Sequence, residues 1–290
     1  TPDANPWNQN LDGAVYITYM NTDGTIKSTV TIDKDTTNVP SSTETESYGR
    51  AIANLGDLDG DGVVDMAVTE SWEANYSMRG QIHIHFMNAD QSIKSTVTTG
   101  PHQLPGDKTG TSGVSLSAIT NIGDHNRDGV TDIAVGSNEG YYWPDGTLKS
   151  KMSRGALYVL NMQTDGAVKE SIRIDRDYMN GPQIGHSGWY GQFGSSVAAT
   201  DIDGDSKMDL VVGSPSDQSA GGSTGTQKFE GSVWVIFDNN GAAVGSQEYA
   251  QGISETLTLT DVIGKKTEIS VSETMSLSVA TTGETTPTEY

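Results

Sequence analysis

Three stretches of the chain place aspartate or asparagine at alternate positions and then continue into apolar residues. They read GDLDGDGVVDMAV from Gly56, GDHNRDGVTDIAVGS from Gly123 and DIDGDSKMDLVVGSP from Asp201. Clustered carboxylates repel one another and are unfavourable unless a positive charge lies among them. The chemistry that these residue types and this spacing favour is therefore cation binding.

The spacing within each loop fits a hard cation. In the pattern D-x-D-x-D-x-x-x-D, positions 1, 3 and 5 place oxygens on one side of a tight turn, position 7 offers its backbone carbonyl and position 9 closes the shell. Calcium takes roughly 6–8 oxygen ligands at about 2.3–2.6 Å, and a ligand set without His or Cys favours it over zinc. The sequence predicts three Ca²⁺ sites: Asp57, Asp59, Asp61, Asp65 and the Val63 carbonyl; Asp124, Asn126, Asp128, Asp132 and the Val130 carbonyl; and Asp201, Asp203, Asp205, Asp209 and the Lys207 carbonyl.

Two simpler interpretations of these loops compete with catalytic cation binding. Acidic, glycine-rich segments also occur as solvated turns, but three of them in register with a repeat argue against that. The metal is also expected to hold the loop in shape rather than to catalyse a reaction, because every side-chain ligand is committed to it. We therefore expect a structural role for calcium.

Composition narrows the classes of partner. The chain has 290 residues, 17 basic and 38 acidic side chains and a formal charge of −21. This excess of acid argues against nucleic acid and anionic membrane surfaces, whose phosphates require Lys and Arg. No apolar run approaches the ~20 residues of a membrane span, so no membrane insertion is expected. The chain contains no cysteine, so metal would take the place of disulfides in stabilising a secreted protein.

The elements that must position these loops are β-strands, and they repeat. Runs beginning at Gly13, Gly80, Gly155 and Gly231 each have Gly, alternating apolar residues, an Asx/Gly turn and a second alternating run. That pattern is typical of a β-hairpin. The hairpins recur roughly every 70 residues, which is a period typical of repeat architectures.

A short apolar strand precedes each acidic loop and another follows it. The preceding strands are predicted at Tyr48–Leu55, Ser115–Ile122 and Phe193–Thr200. One unit is therefore strand, acidic loop, strand and outer hairpin. Four-stranded antiparallel units repeated along a chain indicate the blades of an all-β propeller.

The third unit, FGSSVAATDIDGDSKMDLVVGSP, resembles the FG-GAP repeat of integrin α-subunits and of many bacterial surface proteins. The resemblance extends from Tyr48 to about Gln247 and includes the hairpin at 13–32. Tyr48-Gly49 replaces Phe-Gly in the first unit, whereas the second unit has Ser115-Leu116 there, so a degenerate inner strand is expected. The resemblance implies a β-propeller with calcium in the inter-strand loops, on the surface of a cell or outside it.

Ring closure requires one more blade. The expected propeller spans 1–273, with a hairpin at 13–32, blades at about 48–98, 112–175 and 193–247, and closing strands at 255–273. Propellers have four or more blades, and open ones expose sheet edges. We therefore predict four blades, with the N-terminal hairpin and the C-terminal strands sharing one blade, either within one chain or between neighbouring chains.

The closing strands carry a changed loop. Aligning Asp261 with Asp201 puts Gly264 on Gly204 and 269–271 near 210–212. Lys265 and Lys266 stand where the other loops have acidic residues. The hypothesis is that these lysines supply the charge that a metal supplies elsewhere.

One alternating strand remains beyond the predicted ring, within residues 274–290. Its apolar positions are Met275, Leu277 and Val279. Such a strand can fold back on its own blade, link to a further domain, or add to the sheet of a neighbouring subunit. The last alternative, repeated head to tail, makes a homopolymeric filament.

Aromatic and histidine residues provide the other candidate sites. Insertions between repeats carry aromatic residues that suit a glycan or protein ligand, with packing on their own blade as the alternative: Tyr141, Tyr142, Trp143, Trp189 and Tyr190. His83 and His85 alternate on one face of a strand and are expected to be exposed rather than to bind a metal.

The sequence thus favours a non-catalytic, extracellular or cell-surface calcium-binding protein of bacterial type that self-associates through its terminal strands. The alternative is an adhesin or recognition module that binds glycan or protein through its aromatic loops. An enzyme is a third class, because fold does not fix function. No carboxylate pair free of metal duty has an obvious basic partner, and HSGWYGQ around Ser187 lacks the G-x-S-x-G pattern of hydrolases.

Overall fold

A computed structural model describes residues 13–33, 35–39, 47–74, 77–100, 115–137, 140–142, 148–175, 190–216, 231–237 and 247–251. Every regular element in these ranges is a β-strand, and nearly all strand pairs are antiparallel. The all-β, antiparallel prediction is therefore confirmed. In this part of the chain, no helix has the length and apolarity needed to span a membrane.

The strands form one hairpin and three larger sheets. The N-terminal hairpin pairs β1 (Val15–Met20) with β2 (Ile26–Ile32). The first sheet has the order β3 (Ile52–Gly56), β4 (Asp65–Ala74), β5 (Ser77–Met87) and β6 (Ile93–Thr99). The described residues do not form a closed ring of sheets.

The second and third sheets repeat this order. The second contains β7 (Leu116–Gly123), β8 (Asp132–Ser137), β10 (Leu148–Met162) and β11 (Val168–Ile174), while β9 (Gly140–Tyr142) and β12 (Tyr190–Phe193) also pair with β10. The third contains β13 (Ser196–Thr200), β14 (Asp209–Ser214), β15 (Ser232–Ile236) and β16 (Gln247–Gln251). The chain therefore builds one kind of sheet three times.

The hairpin turns explain the recurring Asx-containing sequences. In the N-terminal hairpin the backbone N–H of Asn21 donates to the carbonyl of Thr25 at 2.8 Å, and Asp23 Oδ1 accepts from the N–H of Thr25 at 2.9 Å. The turn after β5 repeats both bonds, with Asn88 donating to Ser92 at 2.8 Å. An Asx side chain that bonds to the backbone two residues later favours a tight turn over a continued strand.

Apolar cores lie between neighbouring sheets. One packs the hairpin against the first sheet, a second joins the first and second sheets, and a third joins the second and third sheets. Along β5, Ile82, Ile84 and Phe86 belong to the core with the second sheet, whereas Met87 belongs to the core with the hairpin. Side chains alternate across a strand, so both faces of the first sheet are buried.

A close backbone contact connects successive units. A Cβ on Gly155, in β10, would overlap the carbonyl oxygen of Phe193. A Cβ on Gly13, just before β1, would likewise overlap the carbonyl oxygen of Tyr48. Glycine is required where two backbones approach this closely, which explains why these two hairpins begin with one.

The same contact corrects the predicted inner strands. Phe193 ends β12, which runs parallel to β10 of the preceding sheet, and β13 starts at Ser196. Gly194 and Gly49 have φ angles of 86° and 85°, which break the extended conformation. The aromatic residue of the motif therefore packs against the preceding unit rather than beginning its own inner strand.

The expected degeneracy of the second unit was also wrong. β7 is eight residues long and pairs with β8 from Leu116↔Ser137 to Gly123↔Asp132. Ser115, in the position of the missing aromatic residue, forms a 2.7 Å hydrogen bond between its Oγ and that of Ser71 in the first sheet. A full inner strand therefore forms without the Phe-Gly pair.

Candidate functional site

Each acidic loop joins the first two strands of its sheet. The loops connect β3 to β4, β7 to β8 and β13 to β14. Apart from the buried Leu58, positions 1 to 7 of each loop lie at the surface or are partly covered, whereas the position-9 aspartate begins the second strand and is buried. The fold therefore presents three equivalent loops in the same place of three equivalent sheets.

All three loops share one internal hydrogen-bond pattern. The backbone N–H of position 6 donates to Oδ2 of position 1 at 2.8 Å in each loop: Gly62 to Asp57, Gly129 to Asp124 and Ser206 to Asp201. The N–H of position 7 donates to Oδ1 of position 5 at 2.9 to 3.1 Å: Val63 to Asp61, Val130 to Asp128 and Lys207 to Asp205. These bonds turn the side chains of positions 1 and 5 toward the inside of the loop.

The tight path depends on left-handed backbone conformations. Position 4 has φ of 80° at Gly60 and Gly204 but 63° at Arg127. Position 6 has φ of 87° and 88° at Gly62 and Gly129. Glycine adopts such angles without the steric penalty that side chains meet, as the sequence led us to expect for these glycines.

The position-9 aspartates anchor the loops to the core. Asp65, Asp132 and Asp209 are at most 1% exposed, and their Oδ2 atoms accept from the N–H of position 2 at 2.8 to 2.9 Å. Burial raises the pKa of Asp65 and of Asp132 above the usual aspartate value, against the effect of their backbone donors. A buried carboxylate of this kind is stabilised by any cation placed against it.

The structure brings several predicted ligands together. Carboxylate oxygens of Asp57, Asp59 and Asp61 lie within 4.8 Å of one another. In the third loop the same is true of Asp201, Asp203 and Asp209. The second loop has an amide at position 3, and Asn126 Nδ2 donates to Asp128 Oδ2 at 3.1 Å.

Lysine ammonium groups contact the carboxylates of all three loops. Lys94 Nζ lies 2.7 Å from both Asp59 Oδ2 and Asp61 Oδ2. Lys169 Nζ lies 2.8 Å from Asp128 Oδ2, and Lys207 Nζ lies 2.7 Å from Asp205 Oδ2. These ammonium groups lower the pKa of Asp61, Asp128 and Asp205.

Sequence reasoning missed Lys94 and Lys169, and it considered Lys207 only for its backbone carbonyl. Lys94 and Lys169 are each the second residue of the fourth strand of their sheet, in IKST and VKES. The recurrence of lysine at the same strand position could have indicated a shared role. Each lysine lies more than 30 residues along the chain from the loop that it contacts, so the sequence alone did not connect the two. The pairing is informative because a positive charge lies at the position-5 carboxylate of every loop, and in the first loop at position 3 as well.

These arrangements suit a hard divalent cation. The donor set of each loop consists of carboxylate, amide and carbonyl oxygens, which calcium prefers. The backbone bonds preset the path of the loop, whereas a bound ion would compete with the lysine ammonium groups for the carboxylates. Of the predicted ligands, the structure gathers Asp57, Asp59 and Asp61 in the first loop and Asp201, Asp203 and Asp209 in the third. The other ligands, including the carbonyls of Val63, Val130 and Lys207, stay predictions.

The predicted exposure of His83 and His85 was wrong. Both side chains are buried, and their rings stack 6.0 Å apart between the first sheet and the N-terminal hairpin. His83 Nε2 lies 2.8 Å from Glu70 Oε2, and His85 Nε2 lies 2.7 Å from the Tyr48 hydroxyl. Their Nδ1 atoms are hydrogen-bonded to Thr98 and Thr96 at 2.9 and 2.7 Å.

Burial shifts the pKa of two members of this network, His85 and Tyr48. It lowers the pKa of His85 to about 3, with a smaller contribution from the neighbouring His83, and it raises that of the Tyr48 hydroxyl. When polar residues alternate along a strand, they lie on one face of it, and that face is exposed only if no other segment covers it. Here the N-terminal hairpin covers it.

The aromatic candidates are only partly described. Tyr141 and Tyr142 lie in β9, opposite Ser150 and Leu148 of β10, and Tyr190 pairs with Ser153. They therefore lie on short added strands rather than on the long loops that the sequence suggested. Trp143, Trp189, the closing strands with Asp261, Lys265 and Lys266, and the self-association residues Met275, Leu277 and Val279 lie outside the described residues.

Comparison with known proteins finds sequence similarity to the FG-GAP repeat and to integrin alpha chains. The sequence model of the FG-GAP repeat matches residues 193–236. Integrin alpha-3 of Cricetulus griseus is 30% identical over 174 residues, which cover 59% of this chain and 14% of that protein. Integrin alpha-6 of Gallus gallus is 34% identical over 128 residues, covering 44% of this chain and 10% of that protein. The chain therefore corresponds to a small part of these relatives.

Proposed function

We propose that this FG-GAP, integrin α-like chain is a calcium-stabilised extracellular module that acts in adhesion or assembly and catalyses no reaction. The observation that carries the proposal is the shared construction of the three acidic loops, each with a buried position-9 aspartate and an inward set of oxygens. Three repeats of one network favour a common ligand over three unrelated surface turns.

Calcium would stabilise the fold here. Each loop joins two neighbouring strands, so an ion bound to it holds those strands together. The chain has no cysteine and a formal charge of −21, and each bound Ca²⁺ would also offset two of these negative charges. Extracellular calcium would keep such sites occupied, which supports a location outside the cell or on its surface.

We further propose that the chain self-associates through residues 274–290. This segment alternates apolar and polar residues, and an extended strand would place Met275, Leu277 and Val279 on one side. A strand that adds to the edge of a neighbouring sheet contributes backbone hydrogen bonds along its whole length. Such contacts are heterologous and build filaments when the rotation between copies does not close a ring.

Deletion of residues 274–290 tests this part of the proposal. Electron microscopy and light scattering in calcium-containing buffer are expected to show assemblies for the full chain and monomers for the truncated chain. The triple variant Met275→Ser, Leu277→Ser, Val279→Ser should behave like the truncation, whereas the matched variant Ser276→Ala, Ser278→Ala should assemble normally. Unchanged assembly after the deletion would contradict self-association through this segment.

Recognition of a glycan or protein ligand is the second candidate function. It is favoured by the similarity to integrin α chains and by aromatic residues on the strands added to β10. Aromatic side chains with a polar tip are frequent anchors of recognition surfaces. Loss of binding on a glycan or matrix-protein array after Trp143→Ala or Trp189→Ala, with the Tm unchanged, would support this function.

A further inference from the structure

We propose that the contact between the N-terminal hairpin and the first sheet is acid-sensitive, and that a proton taken up by His85 breaks its hydrogen bond to Tyr48 and releases the hairpin. The inference goes beyond the proposed function, because it concerns a conformational response of the fold rather than calcium, adhesion or assembly. The groups that carry it are polar side chains buried where the other sheets bury apolar ones.

The two histidines lie at positions that are apolar in the other sheets. The strand register assigns an equivalent to each histidine in the second sheet and in the third. These four equivalents are buried in the apolar cores between sheets: Tyr158 and Trp234 for His83, and Leu160 and Ile236 for His85. The packing of one sheet against another therefore does not require histidine at these positions.

The hydrogen-bond partners of the histidines differ from their equivalents in the same way. Tyr48 stands where the third unit has Phe193, so its hydroxyl is an added polar group. Glu70 stands where the third sheet has Ser214, counted from the position-9 aspartates of their loops. A buried polar cluster is unfavourable unless its members bond to one another. The joint occurrence of these groups at one interface indicates a role that apolar side chains cannot fill.

The hydrogen bonds of His85 have a fixed direction. Thr96 Oγ1 lies 2.6 Å from the carbonyl oxygen of Asn38, which can only accept, so the Thr96 hydroxyl donates to it. Thr96 Oγ1 must then accept from the Nδ1–H of His85 at 2.7 Å. Because a neutral imidazole has one N–H, Nε2 is an acceptor, and the Tyr48 hydroxyl donates to it at 2.7 Å.

A second proton on His85 does not fit this arrangement. Both ring nitrogens of an imidazolium donate, so Nε2–H would point at a hydroxyl that now donates to it. The Tyr48 hydroxyl could accept only by turning its own proton away from this acceptor, inside the core that it shares with Val15 and Ile32. The ring nitrogens of His85 contact hydroxyl oxygens rather than carboxylates. The charge therefore gains no ion pair in return for the lost bond.

His83 responds differently to acid. Its Nε2 must donate to the Glu70 carboxylate, which only accepts, at 2.8 Å. Its Nδ1 lies 2.9 Å from the Thr98 hydroxyl, which can accept as well as donate, so His83 can hold a second proton without losing a bond. The two rings are stacked 6.0 Å apart. A charge on His83 therefore opposes a charge on His85.

The other titratable groups around the pair come from three segments. Glu70 belongs to β4, Tyr48 precedes β3 and Asp33 follows β2. Burial, followed by the charges of Glu70 and Asp33, raises the pKa of Tyr48, so its hydroxyl keeps its proton at neutral and acidic pH. β6 contributes the hydroxyls of Thr96 and Thr98, and the hairpin strands contribute apolar side chains. Proton uptake by His85 is therefore the event that changes this interface.

Tyr48 connects the hairpin to the first sheet. Its carbonyl oxygen lies so close to Gly13 that a Cβ there would overlap it. Its side chain packs with Val15 and Ile32 of the hairpin, while its hydroxyl bonds to His85 of β5. Loss of that bond weakens the contact at the point where the hairpin begins.

The size of the response follows from the pKa of His85 in the closed and open forms. Burial, with a smaller contribution from His83, lowers the pKa of His85 to about 3 in the closed form. In the open form the pKa returns to the ordinary value of about 6.5. The contact is therefore fully stable above pH 6.5 and weakens as the pH falls below it. The ratio of open to closed molecules should rise about 30-fold between pH 7.5 and pH 5.0.

Cysteine reactivity in the full chain tests the proposal, since the chain has no natural cysteine. Val68 and Val135 occupy the same position of β4 and β8 and are 0% and 1% exposed. Val68 lies in the core beneath the hairpin, and Val135 lies in the core between the first and second sheets. Labelling of a buried thiol tracks the open population when closing is faster than labelling.

The labelling rates of Val68→Cys and Val135→Cys with dithiodipyridine are each divided by the rate of the same chain unfolded at the same pH. The normalised rate of Val68→Cys should rise about 30-fold from pH 7.5 to pH 5.0, whereas that of Val135→Cys should rise far less. Equal rises would indicate general unfolding in acid and would overturn the proposal. An unchanged rate for Val68→Cys would overturn it as well.

A double variant removes the acid response while keeping apolar packing. Tyr48→Phe with His85→Leu installs the residues found at the equivalent positions, Phe193 and Leu160. Removal of both partners avoids leaving one of them unpaired. In this background the rate of Val68→Cys should respond to pH no more than that of Val135→Cys. A persisting rise would contradict the role of His85.

A measurement on the unmodified chain guards against loss of folding in the variants. The ¹⁵N NMR signals of the His85 ring at pH 7.5 should show a protonated Nδ1 and an unprotonated Nε2, as the bond to Thr96 requires. The opposite tautomer would reverse the direction of the hydrogen bonds and overturn the proposal.

Discussion

The backbone N–H of Met87 donates a hydrogen bond of 3.0 Å to Oδ1 of Asp65, 22 residues earlier in the chain. Met162 and Asp132 repeat this bond in the second sheet at 2.8 Å. In these two sheets the last residue of the acidic loop is thereby fixed to the third strand. The loops are consequently part of the sheet framework rather than solvated connections.

Because of this bond, we expect Asp65→Asn to lower the free energy of unfolding substantially. Asp65 accepts N–H donors on both carboxylate oxygens, from Met87 and from Leu58 at 2.9 Å. The asparagine amide offers one oxygen acceptor, so its NH₂ group would lie against one of these two N–H donors, which would lose its partner. The free energy of unfolding should therefore fall by about 1–3 kcal/mol. Chemical denaturation with excess chelator measures the change without a contribution from calcium.

Asp90→Asn is the matched control. Asp90 accepts from Ser92 N–H in an exposed turn at 3.0 Å, and asparagine retains that bond. Its change in the free energy of unfolding should stay within about 0.5 kcal/mol. Equal losses in the two variants would show that the buried network around Asp65 has no special importance.

Lys94→Met should have opposite effects in the absence and presence of calcium. The ammonium of Lys94 neutralises Asp59 and Asp61, so its removal should lower the Tm in chelator. The same removal eliminates a competing cation, and calcium affinity should rise by a factor of about 2 to 5, as expected for a partly exposed ion pair. Isothermal titration calorimetry and thermal unfolding provide the two readouts.

Lys27→Met is the control for that experiment. Lys27 occupies the same IKST position in the N-terminal hairpin and is exposed. Its replacement should leave calcium affinity unchanged. An unaltered affinity in Lys94→Met would mean that the lysine and the metal do not compete.

The lowered pKa of His85 leads us to expect a loss of stability in mild acid. Burial lowers its pKa to about 3 in the folded protein, whereas the unfolded chain takes up a proton near the ordinary value of about 6.5. Stability is therefore complete above pH 6.5 and falls, by about 1.4 kcal/mol per pH unit, as the pH decreases from there toward 3.

Denaturation curves of the wild type and of His85→Gln at pH 7.5 and pH 5.0 check this. Other carboxylates titrate in both proteins, so the difference between the two pH-dependent losses isolates His85. The wild type should lose about 2 kcal/mol more than the variant between the two pH values. Parallel losses would indicate that His85 is solvated in the folded protein.

Gly155→Ala should be far more destabilising than Gly24→Ala. The two glycines have nearly the same φ, 83° and 84°, so alanine meets similar backbone strain at both. A Cβ on Gly155 would overlap the backbone of Phe193, whereas nothing lies within 4 Å of a Cβ on Gly24. Overpacking adds about 1–3 kcal/mol, and the difference between the two variants in chemical denaturation measures it.

Local sequence patterns were sufficient to predict the strands, the hairpin turns and the acidic loops. The turn at Asp23 and the loop at Asp57 are encoded within a few residues, by Asx side chains that bond to nearby N–H groups and by glycines with positive φ. Such features depend little on the rest of the fold. They could therefore be predicted from one sequence.

The remaining features depend on contacts between distant segments. His83 and His85 are buried because the N-terminal hairpin covers their face of β5. Phe193 packs on the preceding sheet because a parallel pairing with β10 places it there. Neither relationship leaves a periodic signal in the residues concerned, which is why the sequence predicted exposed histidines and an inner strand beginning at Phe193.

The most direct test of the account is the Tm of the full chain in calcium compared with chelator. When free calcium exceeds the dissociation constant 100-fold, each site adds about 2.7 kcal/mol, so three sites should raise the Tm by on the order of 10 °C or more. The same concentration of Mg²⁺ should produce a much smaller shift. An identical Tm in calcium and in chelator would contradict the claim that bound cations stabilise the fold by holding the strands on either side of each acidic loop together.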